Sequence, residues 1–139
     1  MPQAAPARML ALIAAGGAIG SIGRYAVETL IPFSPSGIET GFPWATFLVN
    51  ITGALGMGFL VAWLLAHHRA PEWVGPFIGV GVLGGWTTYS TFAAESHALV
   101  GAGQGGVSLA YILVSVGVGL LAVAVGVFGG QRIWGRCDA

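Results

Sequence analysis

No lysine occurs anywhere in the 139 residues, and five arginines are matched by five acidic side chains, for a formal charge of zero. A chain without a basic patch lacks the electrostatic footprint that nucleic-acid binding requires, so that partner class is excluded. Only 7% of the residues are charged, against about a quarter in a soluble domain. The single cysteine, Cys137, permits neither a disulfide framework nor a thiolate metal set. His67 and His68 are adjacent loop residues whose side chains diverge, which argues against a histidine metal centre. No phosphate-binding loop is present. What remains is apolar length: 55% of the chain is hydrophobic and the mean hydropathy is +0.83. These values describe an all-α integral membrane protein.

Four apolar segments, at about 9–31, 44–66, 75–100 and 108–130, have the roughly 20 to 25 residues needed to cross a hydrocarbon core. Pro32, Pro35 and Pro43 punctuate the first connection, residues 67–71 form the second, and the glycine-rich run 101–106 forms the third. The first segment is too long for a signal-peptide core and has no convincing cleavage site, so it reads as the first transmembrane helix. Four crossings put both ends on one side together with Arg8, Arg69, Arg132 and Arg136, with Arg24 opposite. The positive-inside rule assigns that side to the cytoplasm. Among the 24 glycines, Gly16 with Gly20 and Gly126 with Gly130 have the four-residue spacing that lets helix backbones approach closely. Glycine is also simply common in membrane helices. Four short helices enclose little interior, so a twofold oligomer is expected.

The polar groups inside these segments carry the functional information. In the first, Arg24 and Glu28 lie one turn apart, either as an interfacial pair or near the mouth of a pore. The second carries Thr46, Asn50 and Gly53 on one stripe, and its amide either joins helices or lines an aqueous path. The fourth carries Ser108, Tyr111 and Ser115 as a ladder of hydroxyls. The third matters most. Residues 84–92 read Gly-Gly-Trp-Thr-Thr-Tyr-Ser-Thr-Phe, so an apolar segment holds two glycines and the hydroxyls of Thr87, Thr88, Ser90 and Thr91. A helix break at Gly84 and Gly85 would free backbone carbonyls for a cation and amides for an anion. Tyr89 and Phe92 are either packing rings or ring edges turned to an anion. Ser90, Glu95 and His97 are close in sequence, but Ser90 and His97 stand two helical turns apart and make no hydrolytic triad, so the chain is not read as an enzyme.

Gly16-Gly17-Ala18-Ile19-Gly20 leading to Arg24-Tyr25, then Thr46 with Val49-Asn50 and Gly53, then the whole run 84–92, occur in this order and spacing. The chain thereby resembles the Fluc family of fluoride channels, also called CrcB, along essentially all four spans. The resemblance implies an antiparallel homodimer in the inner cell membrane, its third helix broken near the middle. It further implies two passive fluoride pores and a structural sodium ion at the dimer centre. By position, the sodium ligands would be the carbonyl oxygens of Gly84 and Thr87. The fluoride path would be lined by Asn50, Tyr89, Ser90, Thr91, Phe92, Tyr111 and Ser115, with Arg24 and Glu95 near its mouth. Two positions depart from the family pattern: Tyr89 stands where a first phenylalanine is usual, and Gly119 where a further hydroxyl is expected. The alternative is a proton-coupled small multidrug exporter, which needs a titratable carboxylate deep in the membrane. Glu28 and Glu95 are its candidates, and neither falls at the expected midplane.

Overall fold

A computed structural model describes residues 6–35 and 41–135, so Arg136 and Cys137 lie outside the described residues. The described chain is helical: α1 Pro6–Leu30, α2 Trp44–Ala66, α3 Gly75–Leu83, α4 Gly84–Trp86, α5 Tyr89–Gly101 and α6 Gly105–Trp134. Helices α1, α2 and α6 are each long and apolar enough to cross a membrane. The remaining crossing is divided, with α3 and α4 on one side of a bend and α5 on the other. Four crossings fit this arrangement, and the chain is a multi-pass membrane protein.

Local chemistry explains where the helices start and stop. Pro6 opens α1 at a position where a missing N–H costs nothing, and Pro32 follows its end. Gly103 takes φ +76° in the turn between α5 and α6, a conformation that glycine alone adopts freely. Helix α3 is wound in the wide π form, with the Gly84 N–H reaching back to the Gly79 carbonyl. Such windings are rare and are frequently found at functional sites.

The helices pair through glycine rather than through large side chains. Helix α1 lies along α3 and α4, while α2 lies along α6. A Cβ at Gly16 would overlap the Phe77 carbonyl oxygen, and one at Gly20 would overlap that of Val82. On the other pair, Gly58 and Gly126 face each other, so that a Cβ on either would run into the opposite backbone. Gly130 is closed off by the Ala62 methyl. Both glycine pairs singled out by spacing therefore sit at helix crossings. The outer surface carries exposed Leu, Ile, Val and Phe side chains suited to lipid.

The packing also orients the connections. Gln104 Nε2 donates to the Pro35 carbonyl, which puts the α1–α2 and α5–α6 connections at one end. At the other end Arg8 shares a depression with Glu72 and Trp73, and Trp134 meets Phe59 ring to ring. Arg8, Arg69 and Arg132 belong to this second end, away from Arg24.

Candidate functional site

The bend in the third crossing is not at the glycines. Gly84 has φ −66° and ψ −35°, within the helical range, and Gly85 continues the helix. The chain leaves helical geometry two residues later, at Thr87 (φ −80°, ψ 156°) and Thr88 (φ −146°, ψ 126°). The glycines are occupied otherwise: a Cβ at Gly85 would overlap the Gly17 carbonyl oxygen, so this stretch keeps its helix pressed against α1. Threonine, branched at Cβ, favours extended backbone and brings a hydroxyl to finish a helix end. Thr87 Oγ1 donates to the Leu83 carbonyl at 3.0 Å, closing the first half. Thr88 Oγ1 accepts from the Thr91 N–H at 3.2 Å, capping the second.

Asn50 of α2 holds the break open. Its Nδ2 donates to the Thr88 carbonyl at 3.0 Å and its Oδ1 accepts the Thr88 N–H at 2.8 Å. One side chain thus satisfies both backbone polar groups of Thr88, which with Thr87 belongs to neither half of the helix. A second brace comes from Trp86, whose Nε1 donates to Thr52 Oγ1 at 2.9 Å and whose ring edge fills the space beside Gly23 and Gly53. A third is Arg24, whose Nε donates to the Gly85 carbonyl at 3.2 Å while Nη1 pairs with Glu28 Oε1 at 3.0 Å. The Arg24–Glu28 pair follows from its spacing; its reach to the third crossing does not.

Beside the break runs a groove of about 440 Å³ that gathers Asn50, Gly84, Thr87, Thr88, Tyr89, Phe92 and Ser115 among apolar neighbours. Tyr89 and Phe92 stand with ring centroids 6.1 Å apart, and Tyr89 is 81% exposed in the single chain. Ser115 Oγ is buried without a hydrogen-bond partner among the described residues. Ser90 and Thr91 stand just behind the lining, their hydroxyls 3.3 and 3.1 Å from the Oγ1 of Thr88, which belongs to it. Ending a helix at Trp86 leaves its last carbonyls, that of Gly84 among them, without intrahelical partners. Another helix starts at Tyr89, which lines the same groove, and its first N–H groups, apart from that of Thr91 bound by Thr88 Oγ1, have no intrahelical acceptor and carry partial positive charge.

Glu95 is buried within the chain. It is 9% exposed, and both of its oxygens are bound: Thr46 Oγ1 donates to Oε1 at 2.9 Å and the Tyr111 hydroxyl donates to Oε2 at 3.0 Å. Tyr111 is fully buried, its ring 5.0 Å from Phe92 and 5.2 Å from Phe42. Ser108, the first hydroxyl of the α6 ladder, donates to the Ser96 carbonyl at 2.8 Å. The ladder therefore has one member tied to α5 backbone, one tied to a carboxylate and one unsatisfied. Neither Ser90 nor His97 touches Glu95, and both are exposed. The Thr46–Glu95 and Thr52–Trp86 bonds have no local sequence signal, because their partners stand 49 and 34 residues apart.

A family profile described as CrcB-like protein, Camphor Resistance (CrcB), matches residues 11–127, which take in every element of this site. The chain belongs to the CrcB family. Curated CrcB relatives include the fluoride-specific ion channel FluC of Deinococcus radiodurans, 42% identical over 121 residues, 87% of this chain and 94% of the relative. That of Rhizobium meliloti is 43% identical over 115 residues, covering 83% and 90% of the two chains. That of Roseobacter denitrificans is 36% identical over 127 residues, covering 91% and 98%. These relatives are named as ion channels, not enzymes.

Proposed function

We propose that the protein is a fluoride-selective channel that lets fluoride leave the cytoplasm passively. The convergence of an amide, two ring edges, a helix start and an unpartnered buried hydroxyl on one groove at a broken helix carries this reading. Hydrogen fluoride enters a cell as a neutral acid, ionises there and is trapped as an anion, so an anion pore with an inside-negative potential is enough to expel it. Fluoride holds its water tightly, and selectivity requires donors that replace that water at several weak sites in a narrow space. Asn50, Ser115 and the edges of Tyr89 and Phe92 are of that kind, since a ring edge is the positive part of the aromatic quadrupole. Tyr111 adjoins Phe92 ring to ring, so its aromatic edge would continue the line of groups that meet the ion.

The groove lies open in one chain, and a second copy packed antiparallel would close it, giving two pores per dimer. A sodium ion at the dimer centre is part of the same reading. The Gly84 and Thr87 carbonyls supply hard oxygen donors at a helix end of partial negative charge, which suits a small monovalent cation. Bound there, sodium would hold the two broken helix ends together.

Proteoliposomes loaded with fluoride, chloride or a cationic dye test the reading directly. Only fluoride is expected to leave when a potassium diffusion potential is imposed. Release of the dye against a proton gradient would instead establish the multidrug exporter. Cysteine reagents that reach the termini from one face of the membrane only would refute the antiparallel pairing.

Tyr89→Phe is expected to preserve fluoride flux or raise it by up to roughly threefold, because the ring edge remains and the path widens. Phe92→Ala removes a ring packed on both Tyr89 and Tyr111 and is expected to lower flux by an order of magnitude or so while the dimer persists. Initial rates measured with a fluoride electrode would decide both. Loss of flux in Tyr89→Phe would mean that the phenol hydroxyl itself is a required donor.

A further inference from the structure

The backbone groups of Gly84, Gly85 and Thr87, at and just past the end of α4, meet different fates. The Gly84 and Thr87 residues line the groove, and Gly85 between them does not. Its carbonyl is taken by Arg24 Nε at 3.2 Å, across 61 residues of sequence. Arg24 is brought there by the close contact of α1 with this stretch: one turn earlier, a Cβ at Gly20 would stand 2.7 Å from the Trp86 nitrogen. The same guanidinium is anchored by Glu28 at 3.0 Å, and both side chains are about three-quarters covered, at 24% and 25% exposure. The fork of arginine makes these two contacts at once, which a lysine ammonium on a flexible stem cannot reproduce.

We propose that Arg24 is a positioning residue for the broken crossing: it holds the Gly85 carbonyl towards α1, which fixes the rotation of the last turn and leaves the Gly84 and Thr87 carbonyls facing the groove. Glu28 has a separate duty. A guanidinium beside carbonyls meant for a cation would repel that cation, and the carboxylate cancels its charge. This inference rests on the cation reading of Gly84 and Thr87. It does not depend on which ion the pore conducts.

The test follows thermal unfolding of the purified, detergent-solubilised protein in sodium chloride and in choline chloride at equal ionic strength. The wild-type midpoint is expected to rise with sodium. In Arg24→Lys the sodium concentration giving half of that rise should increase by roughly two- to tenfold, because charge is kept but the carbonyl is no longer fixed. Glu28→Gln keeps the Arg24–Gly85 bond while leaving the cation unopposed, and should shift the titration in the same direction. Sodium titrations of both variants that superimpose on the wild type would overturn the proposal. Absence of any sodium response in the wild type would overturn it together with the cation reading. If Arg24→Lys yields no folded protein, Glu28→Gln decides alone. Transport is not measured here, so failure of the channel reading would appear only in the flux assay, with the titration still deciding the role of Arg24.

Discussion

Asn50→Ala is expected to cut fluoride efflux from proteoliposomes by about ten- to a hundredfold while leaving the protein folded. The substitution removes both partners of Thr88 at once, its N–H acceptor and its carbonyl donor. Each backbone group left unpaired away from water costs about 1–3 kcal/mol, enough for the break to rearrange rather than stay open. It also removes the amide from the groove that Tyr89, Phe92 and Ser115 share. Asn50→Asp separates these effects. A carboxylate still accepts the Thr88 N–H but faces the Thr88 carbonyl without a proton to donate, and it places negative charge where an anion must pass. Flux should therefore fall at least as far as in the alanine variant. Wild-type efflux in both variants would remove Asn50 from the conducting path and leave it a role in fold alone.

Gly58→Ala should lower the resistance of the protein to thermal or detergent unfolding by about 1–3 kcal/mol, the usual cost of forcing a methyl into a filled contact. Backbone meets backbone at this point: a Cβ on Gly58 would overlap the Val123 carbonyl oxygen and lie 3.0 Å from the Gly126 Cα. Neither neighbour is a flexible side chain that can move aside, so α2 and α6 must separate. Gly117→Ala provides the contrast, since no atom lies within 4 Å of a Cβ there. That variant should be unchanged or slightly more stable, because alanine favours helix over glycine by up to about 1 kcal/mol. Equal behaviour of the two variants in a side-by-side unfolding series would show that the α2–α6 contact is not limiting.

Much of this architecture can be read from local signals. Proline and glycine punctuation marks the connections, apolar length marks the crossings, and the four-residue spacing of Gly16 with Gly20 and Gly126 with Gly130 marks two helix contacts. The polar run 84–92 stands out against its apolar surroundings and identifies the crossing that bends. Its point of bending is less legible, because glycine serves two purposes. At Gly84 and Gly85 the need was for thinness against α1, and the departure from helix fell to Thr87 and Thr88, whose hydroxyls finish both halves. Long-range partners are hidden for a different reason. Asn50 meets Thr88, Arg24 meets Gly85 and Glu95 meets Thr46 and Tyr111 only after the crossing of helices is decided, which no window of neighbouring residues contains.

Three braces of the bend come from the chain that bends. Asn50, Trp86 with Thr52, and Arg24 with Glu28 together hold it from α2 and α1. A protomer drifting in the bilayer therefore already presents its finished surface. In the dimer proposed above, two such surfaces would meet with little ordering entropy left to oppose the encounter, since pre-shaped partners bind more tightly for the same contact area. The pace at which working assemblies accumulate would then follow protomer density in the membrane, as an ordinary two-body collision, rather than the slow rearrangement of a span after contact.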